Sequence, residues 1–248
     1  MSRLPLILLP PSEGKALGGG ACGRGGALGG LLAEPRAVLL ASLSALSGDR
    51  AAVERLTRSK GPLLDRAIDS FARLVAGDAA LLATWRRYTG VVWTHLEPAT
   101  LTPAQRRRIL VPSALYGVTG GEDPIADYRL TFHANVAGCG PLGVYWRDSV
   151  SSALSQVAGR SPVVDLLPAE HRRVVDLERL AATARVITVR FESADGQKAI
   201  GHVAKAVKGV LARRLLDEGL DALESFTWGP WRAAMHDDRV ATVTAYGH

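Results

Sequence analysis

Residues 6–15 read Leu-Ile-Leu-Leu-Pro-Pro-Ser-Glu-Gly-Lys, and the prediction of the fold starts from this segment. Its first four residues are a short apolar run that stops at two prolines, which is the pattern of a buried strand that leads into a loop. The run is too short for a signal-peptide core or a membrane span. We therefore expect an interior β-strand followed by a polar loop that carries Ser12, Glu13 and Lys15.

The rest of the chain alternates strand-like and helix-like patterns around this first strand. A second buried-strand pattern at Ile109–Val118 also leads into a polar turn. Further strands are predicted at 130–132, 163–167, 186–191 and 240–245, and the main helices at 35–47, 51–57, 63–75, 79–88, 144–154 and 199–216. Because no Ser- or Pro-rich linker divides these elements, we predict an α+β fold: a single mixed α/β domain over residues 1–248.

Glycine is concentrated in residues 18–30, which contain eight of the chain's glycines. This composition predicts a flexible loop. A phosphate-binding turn is not expected, because no strand runs directly into the segment and it lacks the Lys-Ser or Lys-Thr pair of such loops.

Composition excludes several classes of protein. With 248 residues and 47% hydrophobic content, the chain is long and apolar enough to bury a core, so a disordered protein is excluded. Cys22 and Cys139 lie far apart and the six histidines occur singly, so neither a disulfide framework, a metal site nor a cofactor is predicted. A G-x-S-x-G hydrolase motif is absent. We expect a monomer in the reducing cytoplasm, without a membrane partner.

Positive charge is concentrated in one segment of the chain. The formal net charge is +6, and the segment 198–214 alone contributes five positive charges and no negative charge. On the predicted helix, Lys205, Lys208 and Arg213 can border a groove, which favours an anionic partner. Gly209 would let a phosphate or a neighbouring backbone approach closely. After this helix Gly219 predicts a tight turn and a further short helix.

Polar residues at the ends of the predicted strands are the other candidates for a site, because loops that leave strand ends are favoured binding positions. Ser12 and Lys15 could hold an anion, and Glu13 or Asp148 could act as general acid or base. The candidate binding residues are Ser12, Lys15, Ser113, Tyr116, Arg129, Lys205, Lys208 and Arg213. Tyr116 or Trp146 could stack on a base or pack in the core.

Five motifs in this order resemble the YaaA family of peroxide stress proteins. They are Leu8–Lys15, Ser113–Gly117, Pro124 with Asp127–Leu130, Tyr145-Trp146 with Asp148, and Lys205 with Lys208-Gly209 and Arg213. The Pro-Pro-Ser-Glu-Gly-Lys form is similar to one branch of the family. Where other members have Asn-Leu-Ala-Ser-x-Glu-Tyr, residues 165–171 keep only Leu166 and Glu170, and Lys208 replaces an arginine.

The resemblance implies a cytosolic protein that limits hydrogen peroxide damage by lowering free intracellular iron. It also implies a YaaA-like fold with a basic cleft that binds DNA, largely without regard to sequence, through an element of the helix-hairpin-helix type. Two hypotheses therefore stand at this point. The first is a DNA-binding stress protein, and the second is an enzyme that acts on a nucleotide or another anionic small molecule in the same cleft. Direct iron sequestration is disfavoured, because carboxylate and histidine ligands are not grouped in the sequence.

Overall fold

The strand predicted at the start of the chain lies in the middle of the main sheet. The structure is a computed structural model that describes residues 4–20, 27–46, 48–194, 196–197, 199 and 201–246, and in it β1 spans Leu6–Leu8. This strand pairs in parallel with β3 (Ile109–Ser113) along one edge and with β8 (Val163–Asp165) along the other. Both edges are hydrogen-bonded, as expected for a buried apolar strand.

Eight strands form this sheet, in the order β10-β11-β12-β9-β8-β1-β3-β4. The pairs from β12 to β3 are parallel, and the remaining three pairs are antiparallel. The other strands of the sheet are β4 (Gly117–Gly120), β9 (Val186–Ser193), β10 (Thr227–Trp228), β11 (Trp231–Met235) and β12 (Val240–Ala245). Two small antiparallel sheets pair β2 (Leu81–Ala83) with β5 (Pro124–Ala126) and β6 (Asn135–Val136) with β7 (Gly140–Pro141).

Helices are interspersed with the strands, so the predicted mixed α/β fold class is confirmed. The helices are α1 (Ala27–Leu31), α2 (Ala33–Ser44), α3 (Arg50–Thr57), α4 (Pro62–Ala76), α5 (Thr84–Arg87), α6 (Val91–Leu96), α7 (Pro103–Arg106), α8 (Leu142–Tyr145), α9 (Arg147–Ala158), α10 (Ala169–Arg172), α11 (Leu177–Ala181), α12 (Gly201–Glu218) and α13 (Ala222–Ser225). Two 3₁₀ turns span Pro98–Thr100 and Gly219–Asp221. Among the described residues, no helix combines the length and apolar character needed to cross a membrane.

The two faces of the main sheet bury two separate hydrophobic clusters. Leu6 and Leu8 belong to the cluster that contains Trp146, whereas Ile7 and Leu9 belong to the cluster beneath α12. Because successive side chains of a strand point to opposite faces, an unbroken apolar run is what a strand covered on both faces requires. The run at residues 6–9 therefore places β1 between two layers of helices.

Three local predictions were wrong. A helix was expected over 79–88, but Leu81–Ala83 is β2, and the helix starts only at Thr84. Pairing with β5 supplies backbone hydrogen bonds that compete with a helix here. Residues 130–132 form no strand: the alternating burial of Leu130 and Phe132 arises in an irregular segment beside α8. Of the predicted glycine-rich loop at 18–30, residues 27–30 lie in α1, and residues 21–26 lie outside the described part of the chain.

Candidate anion-binding cavity

A cavity of about 820 Å³ opens at the carboxyl ends of the central parallel strands. Its wall is formed by residues 10–13 after β1, residues 167–172 after β8, and residues 189–192 in the second half of β9. The first turns of α6 and α12 close the opposite side. Ligands of open α/β sheets commonly bind at this position, because the loops that leave neighbouring parallel strands converge there.

The loop after β1 brings Ser12 and Glu13 to the cavity and is held by the start of α6. Trp93 donates its indole N–H to the carbonyl oxygen of Pro10 at 3.3 Å. A Cβ at Gly90 would overlap Ser12 Oγ as it is placed here, so glycine at this position accommodates the close approach of the loop. The start of α6 thus holds the loop that carries Ser12 and Glu13 in place.

Helix α12 contributes Lys205 and Lys208, one helical turn apart, to the same cavity. Lys205 is exposed, and Lys208 is half-buried with its Nζ 4.9 Å from the centre of the Phe191 ring. The close approach predicted at Gly209 exists, and the group that approaches is backbone: a Cβ at this position would overlap the carbonyl oxygen of Val92. Gly209 therefore lets α12 pack against α6 and so sets the position of the two lysines.

Asp165 and Arg172 form an ion pair at the end of β8 that sequence analysis did not single out. Asp165 is fully buried; its Oδ2 accepts from Arg172 Nε at 2.5 Å and its Oδ1 accepts from the Leu167 N–H at 2.8 Å. Arg172 also donates to the Leu167 carbonyl oxygen at 2.9 Å and lines the cavity. Two anchors hold the guanidinium, so it is a preorganised cation in the cavity wall.

Burial raises the pKa of Asp165, and Arg172 is the strongest of the influences that lower it. We expect Arg172→Met to lower the free energy of unfolding by about 2 kcal/mol at pH 7, because the substitution leaves a buried carboxylate unpaired. The loss is smaller than the full cost of breaking a buried ion pair, because Arg172 is partly exposed. Without Arg172 the pKa of Asp165 in the folded state rises further, so this carboxyl binds its proton more tightly in the folded than in the unfolded state. The variant therefore loses stability as the pH rises from the pKa of Asp165 in the unfolded chain to its higher pKa in the folded protein.

Urea denaturation of wild type and Arg172→Met between pH 4 and pH 7 measures this effect, and the deficit of the variant should widen as the pH rises. The exposed Arg173→Met provides the matched control, with a pH-independent change. A deficit in Arg172→Met that is constant or shrinks with rising pH would refute the role assigned to the pair.

His171 is a second cavity residue that sequence analysis missed. Its Nδ1 is buried and has no hydrogen-bond partner among the described residues, and burial lowers its pKa. The adjacent Glu170 lies 3.3 Å from His133 Nε2. A lone histidine gives no sequence signal of its own; the position of His171 four residues after the predicted strand at 163–167 was the available indication. Among the described residues, no three His, Cys, Asp or Glu side chains are grouped so that they could hold a metal ion.

Lys15 lies beside the cavity, behind the backbone of Ser12. Its Nζ donates to the carbonyl oxygen of Ser12 at 3.1 Å and lies 4.6 Å and 5.5 Å from the ring centres of Tyr128 and Tyr88. The Lys15 carbonyl oxygen accepts from Arg66 at 2.9 Å. Burial lowers the pKa of Lys15 to about 8, with Asp127 opposing this shift and Arg129 adding to it.

Ser113 and Tyr116 lie inside a hydrogen-bond network next to Lys15. Ser113 Oγ is hydrogen-bonded to Tyr128 OH at 2.7 Å and accepts from the Tyr116 N–H at 3.0 Å. Tyr128 OH is also hydrogen-bonded to Tyr88 OH at 3.1 Å. Tyr116 OH accepts from the Ala126 N–H at 3.0 Å, and its ring packs against Tyr128. The structure thus places both residues where they fix neighbouring segments and outside the cavity lining.

Four other candidates also lie outside the cavity lining. Asp148 has a side chain that is 90% exposed and pairs with Arg179 at 2.6 Å. Arg213 pairs with Asp217 at 2.7 Å and donates to Thr100 Oγ1. Arg129 lies near Lys15, and its buried Nε has no partner among the described residues. Trp146 is fully buried and donates its indole N–H to the Ala114 carbonyl oxygen at 2.9 Å, so it packs in the core.

The charge of the basic segment is distributed unevenly along α12. In its second half, Arg213 and Arg214 pair with Asp217 and Glu218 one turn further on. In its first half, Lys205 and Lys208 line the cavity together with Arg172 and Arg190. Lys198 lies outside the described residues. The carboxylates of Glu13, Glu170 and Glu192 line the same cavity, so the site is of mixed charge.

Comparison with known proteins agrees with the motifs around this cavity. The family model described as peroxide stress protein YaaA matches residues 6–232, which include every segment that lines it. The chain belongs to the YaaA family of peroxide stress proteins. It is 36% identical over 227 residues to a UPF0246 protein of Streptomyces coelicolor, covering 86% of this chain and 84% of that protein. UPF0246 proteins of Corynebacterium efficiens (32%) and Corynebacterium glutamicum (34%) are similar over 85% of this chain and 84% of their own length.

Membership confirms the resemblance stated from the motifs and gives the cavity its context. Three of the five YaaA motifs are represented in or beside it: the first through Ser12, Glu13 and Lys15, the third through Arg129, and the fifth through Lys205 and Lys208. Ser113 and Trp146, from the other two motifs, are buried and form hydrogen bonds in the protein interior. The segment at residues 165–171, where this chain departs from the family pattern, supplies the buried Asp165 and the cavity residue His171.

Proposed function

We propose that this YaaA protein binds DNA at the cavity, largely without regard to sequence, as a cytoplasmic monomer that takes part in the response to peroxide and helps to limit free iron. The observation that supports this proposal is the convergence of Ser12, Lys205 and Lys208 on one opening at the carboxyl ends of parallel strands. Contacts from such side chains to phosphate oxygens position a nucleic acid but carry no sequence information.

The cations of the cavity have distinct roles in this proposal. Lys205 and Lys208 contact successive phosphates of one strand, because they lie one helical turn apart on α12. Arg172, held by Asp165, presents a rigid guanidinium that can grip a phosphate with two N–H groups. Ser12 Oγ donates to a third phosphate oxygen.

The end of α12 is the candidate for the helix-hairpin-helix element of the family. Gly219 has a left-handed backbone (φ 78°), and the chain continues through a 3₁₀ turn into α13. Glycine favours this conformation because it has no Cβ. In this proposal the turn after Gly219 adds backbone N–H contacts to the DNA backbone.

A second candidate function is an enzyme that acts on a nucleotide or another anionic small molecule. The volume and concave shape of the cavity favour it, because about 300–1,000 Å³ is typical of small-molecule sites. The acid–base groups that line the cavity are Glu13, Glu170, His171 and Glu192, whereas Asp148 lies outside it. In this case the same cations would hold the phosphate of the substrate.

Fluorescence anisotropy with a labelled DNA duplex tests the first function against the second. If the four cations that line the cavity, Lys205, Lys208, Arg172 and Arg190, all contact phosphates, the DNA affinity should fall about 100-fold between 50 and 200 mM salt. Thermal unfolding with nucleoside monophosphates and diphosphates is the parallel measurement. Stabilisation by a nucleotide without measurable DNA binding would favour the enzyme, and DNA binding that is independent of salt would contradict the phosphate contacts proposed for these residues.

A further inference from the structure

Two cationic side chains and a histidine meet in the cavity wall at the end of β8. Arg172 donates through Nε to Asp165 and through Nη2 to the Leu167 carbonyl oxygen, which leaves its Nη1 without a partner among the described residues. The charge of Lys208 influences the pKa of both Asp165 and His171, so its ammonium group lies within electrostatic range of both. His171 directly precedes Arg172 on α10, and Arg172, Lys208 and His171 all line the cavity.

The imidazole of His171 forms no hydrogen bond within the part of the chain that the structure describes. Its Nδ1 is buried, and the Phe132 ring packs nearly perpendicular to it with the ring centres 6.0 Å apart. With Nδ1 enclosed, Nε2 is the nitrogen through which this cavity residue can contact a ligand. Polar groups in protein interiors are normally paired, so an unpaired imidazole in a cavity wall indicates a position for a ligand.

The groups around His171 keep its ring neutral in the free protein. Burial lowers its pKa; Glu170 on α10 opposes this shift, and Lys208 on α12 and His133 in the segment before β6 add to it by repulsion. The ion pair at the end of β8, beside the ring, has no net charge. An anion bound between His171 and Lys208 offsets the repulsion, so the ring then gains a proton and holds the anion as a cation.

The depth of this cluster favours a phosphate at the end of a strand over a phosphate inside a duplex. Lys205 is exposed, whereas Lys208, one turn further along α12, is half-buried. A duplex is a stiff rod whose inner phosphates carry a nucleoside on both sides, so these phosphates reach exposed side chains such as Lys205. A terminal phosphate carries one nucleoside, and a cavity of about 820 Å³ has room for a single nucleotide.

We propose that Arg172, Lys208 and His171 form a binding site for a phosphomonoester, the terminal phosphate of a DNA strand, and that His171 gains a proton from the solvent when this phosphate binds. The inference rests on the proposed DNA binding and adds which phosphate the half-buried side chains hold. Because Asp165 neutralises Arg172, protonated His171 adds a second net positive charge beside that of Lys208. Two positive charges suit the dianion of a phosphomonoester better than the single charge of a phosphodiester.

The preference for strand ends is measured by fluorescence anisotropy with short duplexes of one sequence that carry 5′-phosphate, 3′-phosphate or only hydroxyl ends. We expect a phosphorylated end to increase the affinity of the wild type about 10-fold, because the terminal phosphate forms additional charge-assisted hydrogen bonds. Equal affinity for all three duplexes would overturn the binding of a strand end and would leave the proposed DNA binding intact.

Proton uptake is measured by titration calorimetry with deoxyadenosine monophosphate in two buffers of different ionisation enthalpy, neither of them phosphate. At pH 7.5 the free nucleotide is already a dianion, since the second pKa of a phosphomonoester is about 6, so protons taken up on binding go to the protein. We expect uptake of up to one proton per site. Deoxyadenosine, which lacks the phosphate, should cause none.

Matched variants assign the proton to one side chain. His171→Asn should lose the proton uptake, whereas His202→Asn should retain it, because His202 is an exposed histidine of α12 outside the cavity lining. Equal uptake in His171→Asn and wild type, or no uptake in the wild type, would overturn the protonation of His171. The wild-type measurements stand whether or not His171→Asn folds.

The two sources of a phosphomonoester, a strand end and a free nucleotide, are separated by the same measurements. Nucleotide binding with proton uptake, without binding of any of the duplexes, would refute the proposed DNA binding and assign the site to a free nucleotide. Tighter binding of a phosphorylated duplex together with proton uptake would support the strand end.

Discussion

Replacement of Arg87 by leucine is expected to lower the free energy of unfolding by about 4 kcal/mol, the largest effect of any single change considered for this protein. Arg87 is fully buried in α5, and burial lowers its pKa. Its guanidinium donates to the carbonyl oxygens of Ala16 and Gly18, of Ala80 and of Ile125, at distances between 2.5 and 3.3 Å. Leucine fills part of the space but leaves these four carbonyl oxygens, of which that of Ile125 is buried, without the guanidinium donor.

Urea denaturation followed by circular dichroism measures this loss. Arg86→Leu is the matched control, since Arg86 is the exposed neighbour and its removal should change stability by less than about 1 kcal/mol. Because Arg87 holds the carbonyl oxygen of Ala16, the variant should also expose the loop that carries Lys15 to faster hydrogen exchange. Equal stabilities of the two variants would show that the carbonyl groups find other donors.

The double variant Lys205→Ala/Lys208→Ala is expected to bind duplex DNA roughly 50-fold more weakly at 100 mM salt, because two phosphate contacts and their released counterions are lost. The loss should be similar for DNA of different sequence, since phosphate contacts do not read bases. Fluorescence anisotropy measures it. Both residues line the cavity and neither belongs to the two hydrophobic clusters, so the fold should be retained.

The matched control removes the same charge elsewhere. Arg55 and Lys60 are exposed residues at α3 and just after it, outside the cavity lining. Arg55→Ala/Lys60→Ala therefore changes the net charge equally and should retain most of the DNA affinity. Similar losses in the two double variants would mean that overall charge, and not the cavity, accounts for binding.

Much of the fold could be predicted because apolar patterns report local burial. The run at residues 6–9 predicted a strand covered on both faces, and the periodicity of 63–75 predicted α4. The prediction of a helix failed at residues 79–83 because their apolar spacing suits a helix. Their pairing partner, β5, lies more than forty residues further along the chain. Long-range pairing of this kind has no local signal.

The candidate site could be predicted only in part, for the same reason. Ser12, Lys205 and Lys208 carry local signals, a strand end and a charge cluster, and all three line the cavity. Arg172 and Asp165 carry no such local signal, since their importance depends on the burial of a carboxylate at the end of β8. Ser113 and Tyr116 carry the same strand-end signal as Ser12, yet β4 turns back directly after them and directs both side chains inward.

The slope of log Kd against log salt concentration for wild type and Lys205→Ala/Lys208→Ala is the most direct measure of DNA contact in the cavity. Each phosphate contact contributes a slope of about 0.9 for duplex DNA. If Lys205 and Lys208 each contact a phosphate, the slope of the double variant should be shallower by about 1.8, while that of Arg55→Ala/Lys60→Ala matches the wild type. Parallel lines for wild type and Lys205→Ala/Lys208→Ala would contradict DNA binding at this cavity.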